Sequence, residues 1–249
     1  MAPWQPTLIA ADAGGLRLWT EPEGGAVGAS VVFTDRTGGV SSPPYHRLNL
    51  AARVGDRHED VAENRRRVAA AAGFDLRRLV LSRQVHGTTA RRVGADDSGV
   101  VGEADVLVTD TPGTALAILT ADCAAVVIRG AGGLAVVHAG WRGLAAGAVE
   151  AGVRAVAPAR AAWVGPAIRA CCYEVGTEVV DAFRRRGLPV TDHRHVDVSG
   201  AARAALAAAG VPLVAAVDDC TACLDRYFSY RRDGVTGRQG AFALLTAAP

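Results

Sequence analysis

From residue 104 to residue 140 the chain is almost unbroken apolar sequence, cut only by short polar punctuation: ADVLVTD (104–110), TALAILTAD (114–122), AAVVIRG (124–130) and GLAVVHAG (133–140). These runs are of strand length and rich in Val, Ile and Leu, which predicts strands of a buried sheet. ASVVFTDR (29–36) and RRLVLSRQVHG (77–87) predict two more, the second ending at His86, and PLVAAVDD (212–219) and YFSYRRDG (227–234) read as late strands. Between them lie helical stretches. Residues 60–73 have Asp60 as N-cap and Gly73 as stop, and 144–157 is alanine-rich. Residues 177–187 start at Thr177 and end in three arginines before Gly187, and 199–210 forms the last. Strands and helices interleave irregularly, which predicts a mixed α/β fold in one domain, with a large sheet system beneath helices. Residues 1–28 are the least patterned and are assigned to an N-terminal segment of the same domain; residues 29–249 form its main body.

Composition narrows the class. In 249 residues, half are hydrophobic and 21% charged, as in a globular protein. A net charge of +2 gives no ground for nucleic acid or a membrane surface as partner. Every one of the 27 basic residues is arginine, so Schiff-base, lysine-general-base and phosphate-loop-lysine chemistry is excluded. The five cysteines are odd in number and no basic-then-apolar leader precedes them, so a cytoplasmic protein with reduced thiols is expected. CTAC (220–223) has metal or redox spacing but no second such pair, CC (171–172) cannot readily bridge to itself, and His193 and His195 in DHRH read as a solvated loop or edge.

The chemistry gathers around AVVHAGWRG (135–143). If LTADCAAVVIRGAGGLAVVHAG is a hairpin whose turn is centred between Gly130 and Ala131, Cys123 falls opposite His138. A facing cysteine and histidine have two uses: an activated thiolate nucleophile, or two ligands of a borderline metal. His86 in RQVHG also sits at a strand end before glycine. Two His and one Cys would leave a fourth coordination place open, as in catalytic zinc sites.

The quoted pieces carry a resemblance. TDRTGGVSSPPYHRLNLAARVGD (34–56), ENRRRV (63–68), QVHG (84–87), ADVLVTDTPG (104–113), LTADCAAVVI (119–128), VVHAGWRG (136–143), VGPAIRACCYEVG (164–176) and FSYRRDGVTGRQ (228–239) run in the order seen in the YfiH-like family. It is also called the multicopper polyphenol oxidase or laccase-domain family. Val106 stands where the family pattern has glycine. The resemblance implies one metal, most often zinc, on His86, Cys123 and His138, and a mixed α/β sandwich of two sheets covered by helices. It also implies a distant likeness to cysteine–histidine deamidating toxins. Activities assigned within the family are purine nucleoside phosphorolysis, adenosine deamination, phenol oxidation and hydrolytic editing of a peptidoglycan precursor.

Laccase chemistry fits least: six histidines and one N/S site cannot hold four coppers, although such a site also accepts copper. Phosphorolysis needs an anion site. Arg36 with Gly38 and Gly39 is one candidate; Arg142, at the start of a helix beginning near Leu144, is another. Tyr230 and Phe228 are candidates for stacking on a base or for filling the core. Deamination or amide hydrolysis needs an activated water, with Asp122 as proton shuttle or as the residue orienting His86. The expectation is therefore a zinc-dependent purine nucleoside phosphorylase with adenosine deaminase side activity, taking nucleoside and phosphate. It would carry His86, Cys123, His138 and Asp122 at the reacting centre and act as a monomer or weak homo-oligomer. The alternatives are a hydrolase removing misincorporated serine from a muramyl nucleotide, and a non-enzymatic metal-binding partner of the cell-wall machinery.

Overall fold

The computed structural model describes residues 4–22 and 28–246. Two mixed sheets stack face to face. One contains β1 (Ile9–Ala13), β2 (Leu16–Thr20), β3 (Ala29–Thr34), β4 (Leu79–Arg83), β6 (Gly99–Glu103), β8 (Ala115–Thr120) and β13 (Gln239–Leu245), in the order β1-β2-β3-β13-β8-β4-β6. The other contains β5 (Ala90–Arg92), β7 (Val106–Thr109), β9 (Ala124–Gly130), β10 (Gly133–Ala139), β11 (Ala159–Val164) and β12 (Val214–Ala216), in the order β12-β11-β9-β10-β7-β5. Helix α1 (His58–Ala72) covers the outer face of the first sheet. The outer face of the second carries α2 (Trp141–Ala146), α3 (Ala148–Ala155), α4 (Thr177–Arg186) and α5 (Val198–Ala208). A single turn, α6 (Tyr230–Asp233), lies near the C-terminus.

The apolar runs are continuous because the central strands are buried on both faces. In β9, Val127 faces the inter-sheet core with Val136, Leu116, Phe33 and Trp163. Its neighbours Val126 and Ile128 face the helices with Val137, Val149 and Phe183. A third cluster joins Val68 and Phe74 to Leu50, Leu81 and Phe242 on the outer face of the first sheet. No helix among the described residues is long and apolar enough to cross a membrane.

Several local expectations are corrected. Residues 9–20 form a hairpin, and β2 pairs with β3, so the weakly patterned start extends the first sheet. Asp60 lies in the first turn of α1 and Arg57 is its N-cap; Gly73 does close it, in left-handed conformation. Helix α4 does start at Thr177 and stop at Gly187, with Gly176 as its N-cap. The stretch 144–157 is two helices, α2 and α3, broken at Gly147, whose φ of 95° favours glycine. Residues 227–234 are a loop and α6, and the last strand is β13, buried along its whole length and lying just beyond the segment expected to be extended.

Candidate active site

The chain crosses from the first sheet to the second three times at one end of the sandwich, after β4, after β6 and after β8, and the site is built from those crossings. The β9–β10 turn is centred one residue later than expected, with Gly130 paired to Gly133, so His138 lies across from Ala125 rather than Cys123. A register shift of two keeps the face. Cys123, just before β9, is therefore a diagonal neighbour of His138 on the inter-sheet side. On the other flank, the pairing of Val137 with Val106 puts His138 beside Asp105, whose carbonyl accepts the His138 amide at 2.8 Å. His86 lies beyond the end of β4, in the turn, with φ of 61°.

These residues converge. Cys123 Sγ is 3.9 Å from His86 Nε2, and the two imidazole rings meet edge to face at 4.6 Å between centroids. One ligand atom from each of His86, Cys123 and His138 lies within 4.8 Å of the others. Gly140 makes room for them: a Cβ there would stand 2.9 Å from both Cys123 Sγ and His86 Cδ2.

Asp105 organises the cluster. Fully buried, its carboxylate accepts from His138 Nδ1 at 2.7 Å and from the amides of His86 at 2.9 Å and Gly87 at 2.7 Å. The Val85 amide adds a longer bond at 3.2 Å. Holding Nδ1 leaves His138 Nε2 as the free ring nitrogen. Burial opposes ionisation of Asp105, but the His138 bond and the Gly87 amide outweigh it and keep the carboxyl below its ordinary range. Burial likewise pushes the Cys123 thiol up, yet the His138 charge and the hydrogen bonds from both imidazoles prevail and lower it to about 6. His138 moves the other way: burial disfavours its charge, and the Cys123 thiolate and Asp105 raise it to about 9. Sequence reasoning passed over Asp105, although an aspartate at the mouth of an otherwise apolar strand is the same signal that singled out His138.

Asp122 lines the cavity beside the cluster and makes its hydrogen bonds away from both histidines. Its backbone is left-handed, φ 97°, and its carboxylate accepts from Thr221 Oγ1 and from the Arg231 amide, each at 2.7 Å. It braces the crossing loop beside Cys123, while the histidine-orienting work falls to Asp105.

The cluster opens on a cavity of about 780 Å³ lined in part by Arg65, Trp141, Arg142, Tyr173, Tyr230 and Arg238. Arg142 belongs to the first turn of α2, stacks 4.4 Å over Trp141, and makes no hydrogen bond or ion pair among the described residues. Arg65 and Arg238 are held by backbone carbonyls, of Leu50 and of Thr236 and Gly237. Tyr173 stacks under Arg231, 4.8 Å from the ring centre. Neither Arg65, Arg238 nor Tyr173 was a sequence candidate, since nothing in their local pattern marks them.

Arg36, Gly38 and Gly39 do not reach this cavity. Arg36 and Gly38 line a separate one with Arg232 and Asp233. Arg36 donates to the carbonyls of His46 at 2.6 Å and Asp225 at 3.3 Å, and packs on the fully buried Phe228. A Cβ on Gly38 would meet the Gly15 carbonyl at 2.1 Å, and one on Gly39 the Arg47 carbonyl at 2.2 Å. These glycines allow chain to pack on chain. Buried Asn64 ties the segment down, donating to Ser41 Oγ and to the carbonyls of Arg47 and Asn49.

The donor set suits a metal ion: a soft thiolate, two imidazoles and a carboxylate fixing one ring from behind. The same set also describes a cysteine nucleophile with its histidine base and aspartate orienter.

Comparison with known proteins identifies the family of the whole chain. The pattern of the multi-copper polyphenol oxidoreductase laccase family matches residues 30–246. Purine nucleoside phosphorylase YfiH of Escherichia coli is 39% identical over 240 residues, 91% of this chain and 96% of its own. A purine nucleoside phosphorylase of Deinococcus radiodurans is 43% identical, over 84% of this chain and 86% of its own. In three dimensions, YlmD of Geobacillus stearothermophilus superposes with a TM-score of 0.84 at 35% identity, covering 92% of this chain and 96% of its own. A YfiH protein of Bacillus licheniformis gives the same TM-score at 29% identity, over 95% and 97% of the two chains. The chain therefore belongs to the multi-copper polyphenol oxidoreductase laccase family, with YfiH and YlmD among its relatives.

Proposed function

We propose that the protein is a zinc-dependent purine nucleoside phosphorylase, splitting inosine or adenosine with phosphate into free base and ribose 1-phosphate, with adenosine deamination as a second activity of the same site. The observation that carries this reading is the opening of the His86–Cys123–His138 cluster onto a roomy cavity whose wall includes several arginines, among them Arg142, which makes no hydrogen bond or ion pair among the described residues. The names of the relatives support the reaction class.

Each residue has a task. Arg142 binds the phosphate dianion, and its guanidinium can take two phosphate oxygens at once. Arg238, anchored and half-buried, adds fixed positive charge. Trp141, Tyr173 and Tyr230 supply flat apolar surface for the purine. Phosphate then forms the new bond to the ribose anomeric carbon as the bond to the base breaks, and the electron pair leaves with the base. His86, Cys123 and His138 would hold the zinc, which when bound would supply a Lewis acid at the reacting centre. Asp105 keeps His138 in the tautomer that presents Nε2 to it.

Purified protein with inosine should release hypoxanthine only when phosphate is present, lose that activity to a chelator and regain it with zinc. Phosphate-independent release, or none at all, would overturn the assignment.

A second reading rests on the Cys123–His138–Asp105 relay. In it the Cys123 thiolate attacks a substrate carbonyl, the amine leaves with the proton from His138, and water frees the acyl group. A muramyl nucleotide bearing misincorporated serine is the substrate for that chemistry. A covalent adduct on Cys123, seen by intact mass in metal-free but active protein, would establish it in place of the phosphorylase.

A further inference from the structure

Four of the five cysteines lie away from the site just described, in two segments far apart in sequence: Cys171 and Cys172 after β11, Cys220 and Cys223 after β12. The fold brings all four sulfurs within 4.8 Å of one another. Cys223 Sγ is 3.3 Å from Cys171 Sγ and 3.1 Å from Cys172 Sγ. No pair is bonded; all are free thiols. Four sulfurs around one tetrahedral zinc, each at roughly 2.3 Å, stand about 3.8 Å apart, so the four already lie within about an ångström of the spacing of an occupied site. We propose that Cys171, Cys172, Cys220 and Cys223 form a second, purely structural zinc site in which all four coordination places are taken by protein sulfur.

Three features favour a metal over disulfides. A disulfide satisfies two sulfurs, whereas here Cys223 approaches two partners equally and cannot bond both. Backbone N–H groups of Arg169, Ala222 and Cys223 donate to Cys220, the Arg169 bond at 3.4 Å. Such donors favour a thiolate, the form that binds metal. The two segments are also locked in register independently of the sulfurs: Ala167 and Cys220 form a parallel bridge, and the Thr221 amide donates to the Ala167 carbonyl at 3.2 Å. The cage is thus preformed by backbone. Each thiol that binds gives up its proton to solvent, and with four protein sulfurs no place is left for substrate.

The clamp has a purpose in this fold. The segment carrying Cys171 and Cys172 also carries Ile168 and Tyr173, which line the large cavity, and the Ile168 amide donates to the Asp122 carbonyl at 2.8 Å. Thr221, inside CTAC, holds the Asp122 carboxylate. The metal would fasten together two loops that both support the crossing beside Cys123, and it stands whichever reaction that crossing performs.

The test is zinc content per chain in protein purified without chelator, with X-ray absorption at the zinc edge. The variant His86→Ala/Cys123→Ser leaves the four-cysteine cage untouched and should retain one zinc, surrounded by sulfur alone at about 2.3 Å. Cys223→Ser should hold one zinc fewer than wild type. If that variant folds too poorly to purify, the first one decides the matter. A His86→Ala/Cys123→Ser protein that is folded but zinc-free, with the four remaining cysteines titrating as free thiols or paired as disulfides by intact mass, would overturn the proposal. So would a single iron in the zinc's place.

Discussion

Arg142 and Asp105 represent two ways a polar residue serves this site. Arg142 is exposed, stacks on Trp141 and makes no hydrogen bond or ion pair among the described residues, and on the proposed reading it binds phosphate. Arg142→Ala should weaken use of phosphate by about 1.5–3 kcal/mol, the range for charge-assisted hydrogen bonds, with little change in melting temperature. Initial rates at sub-saturating phosphate will show it, and an unchanged rate would place the anion elsewhere. Asp105 is fully buried and serves through His138. Asparagine there can keep only part of that network, since its amide nitrogen cannot accept from backbone N–H groups. Asp105→Asn should reduce metal affinity by roughly ten- to a hundredfold, as removal of such orienting partners does. Competition against a chelator of known affinity measures this, and retained affinity would show that His138 is held by its strand alone.

At the scale of elements, the site depends on how closely the start of α2 follows the end of β10. Gly140 joins them, and its φ of −77° is open to any residue, so only space demands glycine here. Gly140→Ala should therefore leave the fold intact while its methyl wedges between Cys123 and His86, each 2.9 Å from the added carbon. Loss of metal and activity with a near-normal melting temperature is the expected pair of results. Normal metal content in the folded variant would mean that the cluster yields easily. The two halves of the family pattern separate at this scale as well: TGGVSSPPYHRLNL packs backbone against backbone around Asn64, whereas HAGWRG frames the cavity.

At the scale of the whole molecule, the sandwich is closed by residues from both ends of the chain. Trp163, buried between the sheets, donates through Nε1 to Glu21 at 2.9 Å, and β1 and β2 extend the sheet beyond β3. Deleting residues 1–28 should expose the β3 edge and leave the indole N–H without this acceptor. An unfulfilled buried donor costs about 1–3 kcal/mol, and bare strand edges associate. A lowered melting temperature with concentration-dependent association is expected, to be read by calorimetry and light scattering. A deletion as stable and as monodisperse as the full chain would make the segment an appendage.

Much of this was legible in the chain itself. The buried strands announced themselves because a strand covered on both faces has no polar position to show. His138 was legible because a histidine ending such a strand breaks the pattern, and Gly73 and Gly187 stopped helices through their left-handed backbone. Face was legible as well: the hairpin register was off by two, yet side chains alternate with period two, so Cys123 stayed on the side of His138. Tertiary structure alone decided the rest. Arg36 and Arg142 both stand near glycines in the sequence, and nothing local separates the arginine that binds backbone from the one that makes no hydrogen bond or ion pair among the described residues. Cys171 and Cys172 lie about fifty residues from Cys220 and Cys223, and the parallel pairing of β11 with β12, continued by the Ala167–Cys220 bridge, makes the four neighbours. Local sequence sets which face and which conformation a residue prefers, but distance between remote segments is set by how sheets pair and cross.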